Sequence, residues 1–370
     1  MQKRENDLLE NYGCAFKRVK DKKVSEILVS KEENIVYKFT IRDSIDYFII
    51  NIVRAFLTLI KHDCDTTYFQ ILKGLGYKTI DILETDEIKN RILDGTPTFL
   101  GRMGNTEAAI VNSYCKKRAK VTKRYKTCWI EWLYQTSGFF SDDYKEIDQA
   151  VDEFSELLIS CYSECDYMPV SFPPFKYQLF SYGHFLRHVK MVDDRKKQYF
   201  EFGPYCDKPI RDTWIGALKG KKVLVANSFT DSIRLQYERK SEWAYSPECE
   251  LPDFELITYK TYTTQVGERP EGFTNFFQVL RKMIDDIRKI DFDIALIGAG
   301  AYGFPLGCEI KKMGKIAIEP CGRLPAFFGV YGEFLLTSDL LYKKFINENW
   351  IRPIETPPQN YKQVENGCYW

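Results

Sequence analysis

Three times along the chain the same unit recurs: a short apolar run, a loop of small polar residues, then a stretch with apolar residues at helical spacing. The first is Thr98-Phe-Leu-Gly-Arg102, followed by Met103-Gly-Asn-Thr-Glu107 and a helix through Tyr114. The second is Lys222-Val-Leu-Val-Ala226, then Asn227-Ser-Phe-Thr-Asp-Ser232, then a helix from Ile233. The third is Asp293-Ile-Ala-Leu-Ile297, then Gly298-Ala-Gly-Ala-Tyr-Gly303, a helix ending at Met313-Gly314, and a further strand, Lys315-Ile-Ala-Ile-Glu319. Apolar strands that alternate with helices bury both faces and need long crossovers, which is the signature of a parallel sheet covered on two sides. The expected fold is therefore α/β and Rossmann-like, a mostly parallel sheet with helices on both faces.

Further elements fill the spaces between these units. Tyr68 to Leu75 and Asp86 to Leu93 carry helical spacing, punctuated by Gly76 and by Gly95-Thr-Pro97. Tyr144 to Tyr162 aligns Ile147, Val151, Phe154 and Leu158 on one stripe, and Gly272 to Lys289 aligns Phe276, Leu280, Met283 and Ile287. Tyr167 to Phe172 and Phe254 to Tyr259 read as additional strands. This organisation predicts a helical N-terminal extension over residues 1–80, a Rossmann-like catalytic domain over 81–345 and a Pro- and Asn-rich tail over 346–370 laid on the domain surface.

Charge and cysteine usage narrow the class. The 53 Lys and Arg residues balance 52 Asp and Glu, so there is no global field to hold a nucleic-acid backbone. The basic run of Lys116, Lys117, Arg118, Lys120, Lys123, Arg124 and Lys126 reads as a solvated helix end, with a local anion patch as the other reading. Eleven cysteines are scattered and odd in number, and Cys161 and Cys165 have no matching pair for a structural zinc. His184 and His188 share a helix face, but Phe-Leu-Arg between them lacks the glutamate of a zinc protease. Met1 to Glu10 is charged throughout, unlike a secretory signal, and the apolar stretch Ile45 to Ile60 falls short of the roughly 20 residues a bilayer demands. A cytoplasmic location follows, with docking of that stretch on the domain, a second subunit or a membrane surface left open.

In an open parallel sheet, ligands bind beyond the carboxyl ends of the strands. That rule selects Arg102 to Glu107, Asn227 to Ser232, Gly298 to Gly303 and Glu319 to Gly322. Gly298, Gly300 and Gly303 match a dinucleotide fingerprint between strand and helix, so backbone N–H groups can approach a phosphate, and Glu319 stands where a ribose-binding acid would. An NAD-dependent oxidoreductase is one reading of this pattern. Against it, a dinucleotide fold needs strands downstream of its glycine loop, whereas only an irregular segment follows Glu319; a closing unit of another Rossmann-like sheet fits better. Arg102, Asn105 and Glu107 place a cation, an amide and a carboxylate around one helix start, a set suited to a diphosphate, a divalent metal or proton transfer, or alternatively to helix capping. Ser228, Thr230 and Ser232 offer hydroxyls, again for a phosphate or for capping. Gly322 and Arg323 offer close approach and a charge, while Phe327, Phe328 and Tyr331 read as core, and Trp129, Trp132, Phe139 and Phe140 as core or as a sugar-binding wall.

These loops resemble the GT-D-type family of bacterial glycosyltransferases of surface-polysaccharide biosynthesis. The resemblance spans residues 80–370 and rests on Gly101-Arg-Met-Gly-Asn-Thr-Glu107, Val223-Leu-Val-Ala-Asn-Ser-Phe229 with Ser232-Ile233, Leu296-Ile-Gly-Ala-Gly-Ala-Tyr-Gly-Phe-Pro-Leu306, Cys321-Gly322 with Phe328-Gly329, and Val364-Glu-Asn-Gly-Cys-Tyr-Trp370. It implies a domain that binds a nucleoside-diphosphate sugar, a UDP-sugar foremost, and passes the sugar to a hydroxyl of a carbohydrate or lipid-linked acceptor. The family's Asp-x-Glu motif for metal binding or catalysis falls on Asn105 and Glu107. An amide is a weak ligand for a hard cation and no base, which questions a need for Mn2+ or Mg2+ and leaves Glu107 as the acid or base. Donor-binding residues by this resemblance and the loop rule are Arg102, Gly104, Ser228, Thr230, Gly298, Gly300, Tyr302, Gly303, Gly322 and Arg323. The loss of the first carboxylate also admits a non-catalytic nucleotide-sugar-binding protein, and the oligomeric state is open.

Overall fold

The computed structural model describes residues 73–80, 86–118, 122–125, 127–143, 147–169, 190–192, 209–337, 345–364, 367 and 369–370, with single helical positions at 45, 48, 49, 52 and 70. Most of the expected extension at 1–80, most of the apolar stretch at 45–60, and the His184 and His188 pair lie outside these residues, while Thr79–Ile80 of that extension joins the sheet. Eight short strands are described: β1 Thr79–Ile80, β2 Thr98–Leu100, β3 Tyr167–Pro169, β4 Lys190–Val192, β5 Lys222–Asn227, β6 Glu255–Lys260, β7 Ile294–Gly298 and β8 Ile316–Ile318. They form one sheet in the order β1-β4-β3-β2-β8-β7-β5-β6, and every pairing is parallel. The glycine-loop strand β7 and its successor β8 sit in mid-sheet, and their outer neighbours, β5 and β2, come from earlier in the chain. The fold is α/β and Rossmann-like.

Strand residues alternate between two cores. Phe99, Met168, Leu224, Ala295, Ile297 and Ala317 point into one, covered by helices α2 (Asn105–Arg118), α3 (Ile147–Glu164), α5 (Phe276–Ile287) and α6 (Gly303–Lys312). Leu100, Tyr167, Val223, Val225, Ile294, Leu296, Ile316 and Ile318 point into the other, against α1 (Glu87–Leu93), α4 (Thr230–Glu238) and 3-10 turns near 210–218 and 321–328. This period-two division is what places helices on both faces. On α5 the four residues predicted to face inward are buried, and Asn275 caps the helix by accepting from Gln278 N at 3.0 Å.

Two element boundaries differ from expectation for traceable reasons. Helix α4 starts at Thr230, three residues before Ile233, because Asn227 Oδ1 accepts from Phe229 N at 2.9 Å and turns the chain straight out of β5. Helix α2 runs past Tyr114 to Arg118, held by Lys117, which pairs with Asp152 on α3 at 2.8 Å. Part of the supposedly solvated basic run is therefore neutralised within the fold, while Arg118, Lys123 and Arg124 are exposed.

The order of strands creates a divergence at the centre. From β5 the chain steps outward to β6, and from β7 it steps the opposite way to β8, so the loops leaving adjacent carboxyl ends part company. Asn227 and Gly298 close that ladder as register partners, and Asn227 Nδ2 donates to Gly298 O at 2.7 Å.

Candidate functional site at the carboxyl edge of the sheet

The first loop folds a carboxylate back onto itself. Glu107, in the first turn of α2, is only 8% exposed, and its side chain lies over Gly104 so closely that a Cβ there would collide with Oε2. Ser137 hydrogen-bonds its carboxyl, yet burial outweighs that help and raises the Glu107 pKa above the ordinary carboxyl range. Arg102 is half-buried beside it, and Asn105, at the opening residue of α2, is exposed.

A second carboxylate meets the same loop from β8. Glu319 is 1% exposed, its Oε2 accepts from Arg102 N at 2.9 Å, and its own N donates to Leu100 O at 2.9 Å. Its Oε1 rests against Gly303 at the start of α6, where any Cβ would strike it. Burial drives its pKa well above the ordinary range; the Arg102 amide opposes this, and the charge of Glu107 adds to it. Two acids thus share one desolvated corner, where burial disfavours the charged form of each. Glu319 is therefore turned into the fold: Oε2 accepts from Arg102 N and Oε1 lies over Gly303, unlike the ribose-facing acid of the dinucleotide reading.

The rim around this corner holds unusual backbone. Cys321 (φ 56°) and Val266 (φ 48°) are the non-glycine residues in the left-handed region among the described residues, and both border this edge. Leu133–Ser137 is a π-helix, a conformation that concentrates at functional sites, and it delivers Ser137 to Glu107. The segment is pinned by Gln265 Nε2 donating to Thr136 O at 2.7 Å, and Thr264 Oγ1 lies 2.9 Å from Tyr302 Oη. Strained conformers persist where surrounding structure over-determines them, and sites are where they cluster.

The structure joins some predicted residues and separates others. Arg102, Gly104, Glu107 and Gly303 meet around Glu319 and Cys321, whose Sγ is 3.5 Å from Arg102 O. Gly298 is tied to this group because a Cβ on it would lie 2.7 Å from Cys321 O, and Gly300 (φ 53°) faces Ser137 O. Tyr302 is buried and stacks on Phe276 at 4.3 Å, so it braces the loop. Arg323 is buried in the turn that follows Cys321. In the second loop Ser228 is half-buried, whereas Thr230 and Ser232 are 1% and 0% exposed in the first turn of α4. The amides of that turn are taken by Glu355, whose Oε1 accepts from Asp231 N at 2.9 Å and Ser232 N at 3.0 Å. Gly322 lies under the ring of Tyr369. Phe139, Phe140, Phe327 and Phe328 are core, while Trp132 is exposed.

Sequence reasoning missed Ser137, Thr264, Gln265 and Glu355. Ser137 ends a π-helix and Thr264 and Gln265 begin a short 3-10 turn, none of them part of a strand-to-helix unit, and Glu355 reaches its partners from more than a hundred residues away. Among the described residues no group of three His, Cys, Asp or Glu side chains is arranged to hold a metal ion. A divalent cation at Glu107 would need oxygens from a bound phosphate to complete its shell. Among the described residues no helix is long and apolar enough to cross a membrane.

No protein-family model matches this chain, and no curated protein is similar to it in sequence. Among solved structures it is similar to a selenomethionine-substituted domain of unknown function 1792, with 11% identity, a TM-score of 0.34, and coverage of 79% of this chain and 95% of that one. What the protein does is therefore read from its own site.

Proposed function

We propose that this protein is a glycosyltransferase that takes a sugar from a nucleoside-diphosphate donor, a UDP-sugar foremost, and passes it to a hydroxyl of a carbohydrate or lipid-linked acceptor. One observation carries the reading: Glu107, buried with a raised pKa, stands at a helix start beside a second buried carboxyl, at the carboxyl edge of a Rossmann-like sheet. A carboxyl whose pKa is raised by burial is suited to act in proton transfer. In the transfer, the bond from the anomeric carbon to the diphosphate breaks and a bond to the acceptor oxygen forms. Glu107 takes the acceptor's proton, and the diphosphate leaves with charge offset by Arg102 and Arg323 and by backbone donors of the Gly298–Gly303 loop. No step here is assigned to a metal.

The test is a panel of nucleotide sugars, with and without Mn2+, read by thermal shift and by product formation. A true donor raises the melting midpoint in proportion to its excess over Kd. The variant Glu107→Gln is expected to keep donor binding and lose about 100-fold or more in turnover. A Glu107→Gln enzyme as fast as wild type sinks the role of Glu107. The oxidoreductase reading draws on the Gly298–Gly303 loop at the divergence of β5 and β7; saturable NADH binding, with none by any nucleotide sugar, would favour it instead.

A further inference from the structure

Two of the four loops that an open sheet would offer to a ligand, Asn227–Ser232 and Glu319–Gly322, are covered by one segment of the chain itself. After Trp350, which is buried and donates Nε1 to Trp243 O at 3.1 Å, the backbone pairs at Ile351: its O accepts from Tyr331 N at 2.9 Å and its N donates to Gly329 O at 3.1 Å. Beyond this anchor the segment crosses the carboxyl edge. Glu355 inserts a carboxylate into the first turn of α4, accepting from Asp231 N, Ser232 N and Ser232 Oγ, while Ile354 N donates back to Ser232 Oγ at 2.9 Å. Further on, Tyr369 lies over Gly322 and Trp370 packs edge-on against Phe229 at 4.7 Å. Arg352 links the two ends of the segment, donating to Trp370 O at 2.7 Å, and also holds Glu333 at 2.8 Å.

We infer that residues 352–364, together with Tyr369 and Trp370, form a strap that closes the donor side of the site, with Glu355 as its latch. The inference rests on the nucleotide-sugar reading and concerns the regulation of that same edge. Three features set the strap apart from ordinary tail packing. Its latch is a negative charge held by backbone amides of a helix start, the kind of seat a donor phosphate competes for. Its aromatic end covers Gly322, the small residue beside buried Arg323. Its anchor at Ile351 is independent of the latch, so the strap can lift without loss of Trp350 from the core. In the closed form a diphosphate meets a carboxylate and two aromatic rings where it needs donors and space. Apparent affinity is then reduced by the fraction of molecules in which the strap is shut.

The experiment compares the full chain with Glu355→Ala and with Trp370→Ala, titrating each with whichever nucleotide sugar gives the largest thermal shift, and following amide hydrogen exchange over residues 352–370. Removing the latch is expected to tighten donor binding about tenfold or more. Exchange across the segment should rise in both variants, while the sheet strands keep their protection. Equal or weaker donor binding in both variants overturns the strap and leaves the nucleotide-sugar reading standing. A panel in which no nucleotide sugar binds wild type or either variant ends that reading and the strap with it.

Discussion

At the scale of single residues, Glu107 and Glu319 pack against Gly104 and Gly303, which leave no room for a side chain. Gly303 has no room for a methyl group beside Glu319 Oε1, so Gly303→Ala must push a buried carboxyl out of place. Overpacking of this kind costs about 1–3 kcal/mol, and chemical denaturation of the variant checks it. Glu319 also has a signed effect on stability against pH. Below its ordinary value of 4.5 both folded and unfolded chains hold the proton. As pH rises past that value the unfolded chain releases its proton first, so stability falls until the raised folded-state value is passed. Glu319→Gln keeps an acceptor for Arg102 N and removes the ionisation; its melting midpoint should therefore exceed that of wild type by a margin that widens as pH climbs above 4.5. A margin that is constant with pH would contradict the burial-driven shift. The places of Glu107 and Gly303 after strands were legible in the sequence, whereas the direction in which Glu319 turns was not. A strand-end acid is the same letter whether it faces a ribose or folds back onto a neighbouring amide, and only the pairing of β8 with β2 decides which.

At the scale of elements, the repeated strand–loop–helix unit was legible because local physics dictates it. Continuous apolar strands and amphipathic helices declare their partners by period, and the alternating strand residues indeed divide between two cores. Asn275 illustrates the local rule: it caps α5, and Asn275→Ala is expected to cost about 1 kcal/mol, checked by the urea midpoint. Leu280, buried on the same helix, is expected to cost about 2–5 kcal/mol when cut to Ala. The start of α4 was misplaced because the turn that Asn227 Oδ1 makes out of β5 and the carboxylate of Glu355 that takes the first amides both lie outside the apolar period. The π-helix at Leu133–Ser137 left no periodic signal at all; it follows Trp132 without a break and ends at Gly138 in the left-handed conformation.

At the scale of the whole molecule, the all-parallel order of the described strands gathers loops from distant parts of the chain onto one edge. The loop rule anticipated that gathering, and it brought Arg102, Gly104, Glu107, Gly298 and Gly303 around one corner. What it did not anticipate is that the closing residues return across the same edge, because a Pro- and Asn-rich tail carries no period to reveal its path. Glu107 and Glu319 are buried within this gathering, with pKa values raised by desolvation, and the left-handed turn at Cys321 lies beside them. The measurement that bears most directly on this account is calorimetric titration of wild type and Arg102→Ala with a panel of UDP-sugars and free UDP. The account predicts saturable binding of at least one UDP-sugar by wild type and binding weakened about tenfold or more in Arg102→Ala. Absence of binding by every member of the panel, or identical affinity in the two proteins, would contradict it.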